Sequence, residues 1–253
     1  MKEKSERAAR EDRWIAISGL LFVAAWVVGL LVASPPAVTA PMADLITYYE
    51  VHRAMVMLQA YLANGLTGIL LMVFVAALHS AFRRAEGASS TLSNLLLVAG
   101  AVVTSLSCLE ALFVQVLANH IAATHDAAVI RTLLELNVEI DTFKLSVLGI
   151  MIAAASLLGW RVKAVPPWLV WVGVVEALLL VVASGNSLFP GEALPIVLDI
   201  SALGLLVWTA AVSVVIGWHG RTVRAGADLL APLSRAVADT SSSDTQIKRC
   251  QSH

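Results

Sequence analysis

Six apolar runs, each about long enough to cross the roughly 30 Å hydrocarbon core of a bilayer, leave this chain few alternative folds. They fall near residues 14–34, 54–82, 92–119, 138–160, 167–188 and 194–219, bounded by charges or helix breakers. Pro35-Pro36, Pro166-Pro167 and Pro190-Gly191 mark three of the junctions. Of the 253 residues, 58% are hydrophobic and 14% charged, against about 25% charged in soluble domains. The pattern predicts an all-α integral membrane bundle of six transmembrane helices. It argues against a nucleic-acid-binding surface, a disordered chain and a solvated enzyme domain.

The first run resembles a signal peptide only superficially. Val38-Thr39-Ala40 could pass for a cleavage site, but the apolar stretch exceeds the usual ~7–15 residues and Pro41 follows the would-be cut. An uncleaved anchor is expected.

Lysine and arginine give the orientation. With the N-terminus inside, cytoplasmic segments hold 14 of the 17 basic residues, in clusters around Lys2–Arg13, Arg83-Arg84, Arg161 with Lys163, and Arg221 onward. The outer side holds Arg53, Arg131 and Lys144. Both termini are therefore expected inside, and Trp14, Trp160, Trp168 and Trp218 fall at the same cytoplasmic boundary. The organisation reads as a cytoplasmic N-terminal tail (1–13), a transmembrane domain (14–219) and a mostly disordered cytoplasmic tail (220–253). Within that last tail, Leu229, Leu230, Leu233 and Val237 suggest a weak surface helix.

Asp44 is placed to cap a short interfacial helix before the second span, and the Arg131–Glu135 pair favours a short exposed helix before the fourth. No repeat is visible, and the two halves share no motif or paired broken helices.

Ionisable residues inside spanning segments are costly and usually functional. At about 1.5 Å per residue, Glu110, Asp141, Lys144 and Asp199 fall in the outer half and Glu176 near the middle of its span. Arg53 and His52 open the second span on the same side, and Gln59, Asn64, Gln115, Asn119 and Asn186 lie at similar depths. An outward-opening, carboxylate-lined cavity is expected, with Glu110, Glu176, Asp199 and Asp141 as catalytic candidates. Arg53 and Lys144 are candidate anion anchors, and Asn64, Gln115 and Asn186 complete the substrate-binding set.

Structural readings stand beside these. Asp141 and Lys144, at i,i+3, can neutralise one another, and Asp199 can be a helix-start residue favoured by the macrodipole. Glu110 and Glu176 each need a partner or the neutral form, since a lone ionised carboxylate in hydrocarbon is strongly disfavoured. A neutral carboxyl group suits interhelical hydrogen bonding as well as acid–base chemistry.

The six histidines offer no metal set. His120 and His125 lie about 140° apart on a helix, and His79 and His219 sit at cytoplasmic ends, so interfacial roles are expected. Cys108 and Cys250 form neither a disulfide framework nor a thiolate site. Cys250 also lacks the aliphatic residues of a prenylation signal. Ser184-Gly185-Asn186-Ser187 reads as the loosened end of a helix, because no partner histidine lies at matching depth. Gly65, Gly68 and Gly100 are small-residue packing positions. No nucleotide or diphosphate motif is present, and no cofactor is expected.

Four stretches resemble a family of six-helix bacterial membrane proteins, of actinobacterial type, known as a domain of unknown function. They are Ala43-Asp44-Leu45-Ile46-Thr47-Tyr48-Tyr49-Glu50-Val51-His52-Arg53, Phe82-Arg83-Arg84-Ala85-Glu86-Gly87, Pro167-Trp168-Leu169-Val170-Trp171-Val172-Gly173, and the apolar run from Leu205 to Val215. The resemblance covers nearly the whole chain through mostly apolar motifs of low specificity. It implies a six-span bundle in the bacterial cytoplasmic membrane and brings no activity. The family's third and fifth spans are almost purely apolar, so Glu110 and Glu176 hint at a site of this chain's own.

Three functions follow as expectations. The first is a cofactor-free acid–base enzyme of cyclase or isomerase type acting on a lipophilic small molecule, with Glu110 and Glu176 as acid and base. The second is a proton-coupled transporter and the third an accessory or assembly subunit. The absent charge path through the cytoplasmic half favours the enzyme over the transporter. Expected partners are the lipid bilayer and a lipophilic small molecule, with no nucleic acid, and homo-oligomerisation is left open.

Overall fold

A computed structural model describes residues 2–86, 91–121, 124, 126–187 and 196–217, and every element among them is helical. Helix α1 spans Lys2–Val32 and α2 spans Met42–Val51. Helix α3, Arg53–Ala60, passes through a π-helical turn at Tyr61–Leu66 into α4, Thr67–Glu86. Helix α5, Thr91–Val116, ends in a second π-helical turn at Leu117–Ile121. The chain continues with α6, Ala127–Arg161, α7, Pro167–Ala183, and α8, Ile196–Gly217.

Among the described residues, five stretches are long and apolar enough to cross a membrane: Arg13–Val32, Arg53–Ala85, Thr91–Asn119, Ala127–Arg161 and Ile196–Gly217. The remaining apolar run forms α7, which is shorter at 17 residues. Expected to continue to residue 188, this helix gives way at Ser184 to a tighter 3-10 turn, Ser184–Ser187. There the Ser184 hydroxyl donates to the Val181 carbonyl at 2.7 Å and accepts from Ser146 at 2.6 Å. Serine is prone to such local bonds, which compete with helix continuation.

Three local expectations are corrected. Asp44 does not cap α2: Pro41 holds the N-cap position, and Asp44 lies in the first turn, where its charge still suits the helix dipole. Arg131 and Glu135 belong to no separate helix, because α6 runs unbroken through 35 residues. At about 1.5 Å per residue it is over 50 Å long, so some four turns project beyond a 30 Å hydrocarbon layer. Asp126 starts it by accepting hydrogen bonds from the Ala128 and Val129 amides. Finally, His79 is buried, with its Nδ1 2.8 Å from the Ser93 hydroxyl, joining α4 to α5. The N-terminal tail is helical from Lys2, while the expected C-terminal surface helix lies outside the described residues.

Helix α6 ends where Lys163 takes a left-handed φ of 53°. The Ala164 amide then reaches the Gly159 carbonyl and the Lys163 amide the Trp160 carbonyl, at 3.0 and 3.1 Å. This C-terminal cap turns the chain sharply, and Pro167 at the first position of α7 restarts it.

The long helices pack in sequence order, α1 on α4, α4 on α5, α5 on α6 and α6 on α7. Helix α8 closes the circuit: Gly204 faces Glu176 of α7, and Ser213 faces Gly19 of α1. At the end where α4 finishes and α7 begins, large side chains including Phe74, Leu78, Phe82, Ile152, Leu158 and Leu169 fill the centre. At the opposite end, α2 packs through Tyr49 beside Val56, Leu117 and Ile130 in a second small core. Association inside lipid gains little from the hydrophobic effect, so close packing and buried polar contacts must hold these helices together.

Candidate functional site

Between the filled end of the bundle and the α2 core lies a cavity of about 510 Å³. Its walls are mainly apolar, and its lining carries three carboxylates, contributed by α5 (Glu110), α6 (Asp141) and α8 (Asp199). Lys144 of α6 joins them, and Asn64, carried by the first π-helical turn, lines the cavity too. A π-helical turn inserts an extra residue and re-aims its side chains, a distortion common at functional sites. Here both such turns reach the cavity, through Ala63 and Asn64 in one and Leu117 in the other.

Lys144 is the hub of the polar wall. Its Nζ donates to Glu110 Oε2 at 2.5 Å and lies 2.7 Å from Asp141 Oδ1. The Glu110 and Lys144 side chains are 1% and 12% exposed, whereas Asp141 is 50% exposed. The second oxygen of Glu110, Oε1, is buried without a hydrogen-bond partner, as is Oδ1 of Asn137 on the same lining. Asp141 and Lys144 do neutralise one another, but Lys144 simultaneously binds the deeper Glu110.

The expected site residues divide clearly. Glu110, Asp141, Asp199, Lys144 and Asn64 come together around one cavity. Asp199 lies on α8 at an exposed position, and its helix-start reading turns on residues before 196, which lie outside the described ones. Glu176 does not join them: it lies one turn from Leu180, which does line the cavity, and packs against Gly204 with Oε1 unpartnered. A Cβ on Gly204 would overlap that carboxylate, so the glycine supplies the room for it. The expected pairing of Glu110 and Glu176 as acid and base in one cavity is thus corrected.

Arg53 also stands apart. Its guanidinium donates to Asn119 Oδ1, with Nε at 3.1 Å, tying the start of α3 to the second π-helical turn. Neither Gln115 nor Arg53 lines the cavity, and the Asn186 side chain lies outside the described residues. Gln59 has a partly structural task, donating to the Ala33 carbonyl at 3.0 Å just beyond α1.

Tyr49, Ser107 and Asn137 are lining residues that the sequence reading did not single out. Tyr49 was hidden in the predicted interfacial helix, and Asn137 looked like a loop end. Burial, with a smaller contribution from Tyr48, pushes the Tyr49 phenol from its ordinary 10.0 up to about 12. Subtracting the alkaline absorbance titration of Tyr49→Phe from that of the intact protein should leave a phenolate step near pH 12. Because burial disfavours the phenolate, Tyr49 leaves stability unaffected below about pH 10 and lowers it as pH rises toward 12. A step at or below pH 10 would mean that the phenol is solvated.

The exposed residues on the cavity lining include Leu30 and Pro35 near the end of α1 and Leu198 and Asp199 of α8. Toward the filled end, a separate void bordered by Ser156 and Trp208 measures only about 10 Å³, near the minimum for one water. The chain matches no family model, and neither the curated proteins nor the solved structures contain a match.

Proposed function

We propose that this protein is a membrane-embedded acid–base enzyme, of non-redox isomerase or cyclase type, acting on a lipophilic small molecule held in the 510 Å³ cavity. The observation that carries the reading is the Glu110–Lys144–Asp141 cluster in the cavity wall, in which Glu110 is buried, Asp141 half-exposed, and Glu110 Oε1 without a hydrogen-bond partner. A carboxylate can take a proton from a bound carbon acid and return it elsewhere, provided that it reaches hydrogen-bond distance of the reacting position. In this scheme Glu110 transfers the proton, Lys144 stabilises its carboxylate form, and Asp141 and Asp199 set the local field. Asn64 and Tyr49, on the same lining, orient the substrate. Apolar walls with few convergent polar groups suit a small-molecule site.

The six-span topology belongs to the same proposal, with α7 as the short fifth span and both termini on the cytoplasmic side of a bacterial inner membrane. That orientation is supported by the lopsided distribution of lysine and arginine. The cavity then faces outward, and a lipophilic substrate enters from the outer leaflet between the exposed ends of α1 and α8. The apolar plug of Phe74, Leu78, Phe82, Ile152 and Leu158 supports an enzyme over a transporter, because it interrupts a continuous aqueous path.

Metabolite profiling of a host with and without the gene tests this reading, with Glu110→Gln and Glu176→Gln variants compared at equal abundance. A substrate–product pair of different structure should depend on the gene, vanish with Glu110→Gln and survive Glu176→Gln. One unaltered compound redistributed across the membrane would overturn it in favour of transport. No metabolite change would overturn it in favour of an accessory subunit.

A further inference from the structure

We infer that the cavity is built for a lipophilic organic cation, an amine or quaternary ammonium head on an apolar body, with the head beside Glu110 and Asp141. This rests on the cavity being a small-molecule site and adds the charge class of its ligand. The formal charges on its described lining are three carboxylates, Glu110, Asp141 and Asp199, against the single ammonium of Lys144. That ammonium already contacts two of the three carboxylates, so little positive charge remains to attract an anionic head. Arg53, the other expected anion anchor, is engaged with Asn119 and does not line the cavity.

The unsatisfied groups have the same polarity. Glu110 is 1% exposed, and its Oε1 is a buried acceptor without a donor; Asn137 Oδ1 is another. A buried acceptor left without a partner is costly, so the site is complementary to a ligand that brings N–H donors or positive charge. A sulfonate or carboxylate head would instead meet more acceptors and like charge. Aromatic rings of Phe22, Trp26 and Phe113 lie on the same lining, and such faces attract organic cations further. The size and largely apolar walls favour an organic cation over a bare metal ion, and no three metal-ligating side chains converge among the described residues.

A matched set of decyl probes tests the inference on the full chain in nanodiscs of zwitterionic lipid, with empty discs subtracted. Radiolabelled decyltrimethylammonium should bind saturably, and unlabelled decyl sulfonate or decanol should not displace it. Glu110→Gln should weaken binding by about tenfold, the change expected when roughly 1.4 kcal/mol of attraction is lost. If that variant fails to fold, Asp199→Asn, at an exposed position outside the Lys144 pairs, should weaken binding in the same direction.

Saturable binding unchanged by both variants would place the cation elsewhere and overturn the inference. Preferential, Glu110-dependent binding of the sulfonate or the alcohol would overturn the cationic ligand while leaving the cavity as a small-molecule site. Absence of cation binding alongside a Glu110-dependent metabolite change would overturn the inference and keep the enzyme. Absence of both would overturn the two together.

Discussion

Replacing Lys144 by methionine is expected to cost about 3–5 kcal/mol of stability, the usual penalty for stranding one member of a buried ion pair. The loss comes mainly through Glu110, not Asp141. Glu110 is 1% exposed and has no second partner for Oε1, so without the ammonium its carboxylate must be buried uncompensated or take up a proton. Asp141 is 50% exposed, and water can replace the lysine there; an exposed pair of this kind contributes about 0–1 kcal/mol. Adding Glu110→Gln to Lys144→Met should therefore restore much of the loss, because the double variant buries no ionised carboxylate at that position. Asp141→Asn added to Lys144→Met should restore little. Reversible unfolding in mixed micelles measures all four proteins. A double variant no more stable than Lys144→Met alone would show that the pair does not hold α5 against α6.

How far this pair was legible in the sequence depends on which coordinate is considered. Depth along a helix follows from counting residues at a fixed rise, and it brought Glu110, Asp141, Lys144 and Asp199 to one level before any contact was known. Direction around the helix axis does not follow so readily. A polar residue normally betrays the inward face by contrast with an apolar periodicity, but spans such as α5 and α7 are apolar almost all round. Glu110 proves to face α6, and Glu176 proves to face Gly204 of α8. Equal chemistry at nearby depths therefore gave two different sites. For Gly204 the only sequence signal was a small residue in an apolar run, which is common in membrane helices for packing reasons alone.

The interruptions of the helices were harder still. A π-helical turn requires no proline, and the apolar pattern runs through it, so residues 54–82 read as one helix. Asn64-Gly65 was the available hint, a turn-prone pair inside a span, yet Gly65 also fits a packing position. The physical consequence is functional geometry: the extra residue brings Asn64 onto the cavity lining. Length misled in the opposite direction at α6. Arg131 and Glu135 read as a short exposed helix separate from the fourth span because a spanning helix needs only about 20 residues, although nothing obliges a helix to stop at the bilayer surface. The projecting turns allow Ile130, Leu133 and Leu134 to meet Tyr49 and complete the small core above the cavity.

Gly149→Leu, just behind the cavity wall, is expected to be strongly damaging, and Gly185→Ala mild. Gly149 lies on α6 against α7, where an added Cβ would come 2.8 Å from the Ala177 carbonyl oxygen and 3.0 Å from the Val181 side chain. The first neighbour is backbone and cannot rotate away, so the two helices must separate. Overpacking of this kind typically costs about 1–3 kcal/mol and occasionally more, and leucine adds three further carbons to the clash. Alanine at the same position should fall at the lower end of that range. Gly185 provides the control, since nothing lies within 4 Å of its added Cβ; alanine there should change stability by less than about 0.5 kcal/mol. The expected damage reaches beyond stability. Leu145 and Leu148 precede Gly149 on α6 and line the cavity, as does Leu180 on α7, so separating the helices should disturb the wall that carries Lys144. Thermal unfolding and saturable decyltrimethylammonium binding measured on the same samples distinguish the two effects. Gly149→Ala should lose affinity even at temperatures where it remains folded. Unchanged affinity in that folded protein would mean that the cavity tolerates movement of α6 against α7.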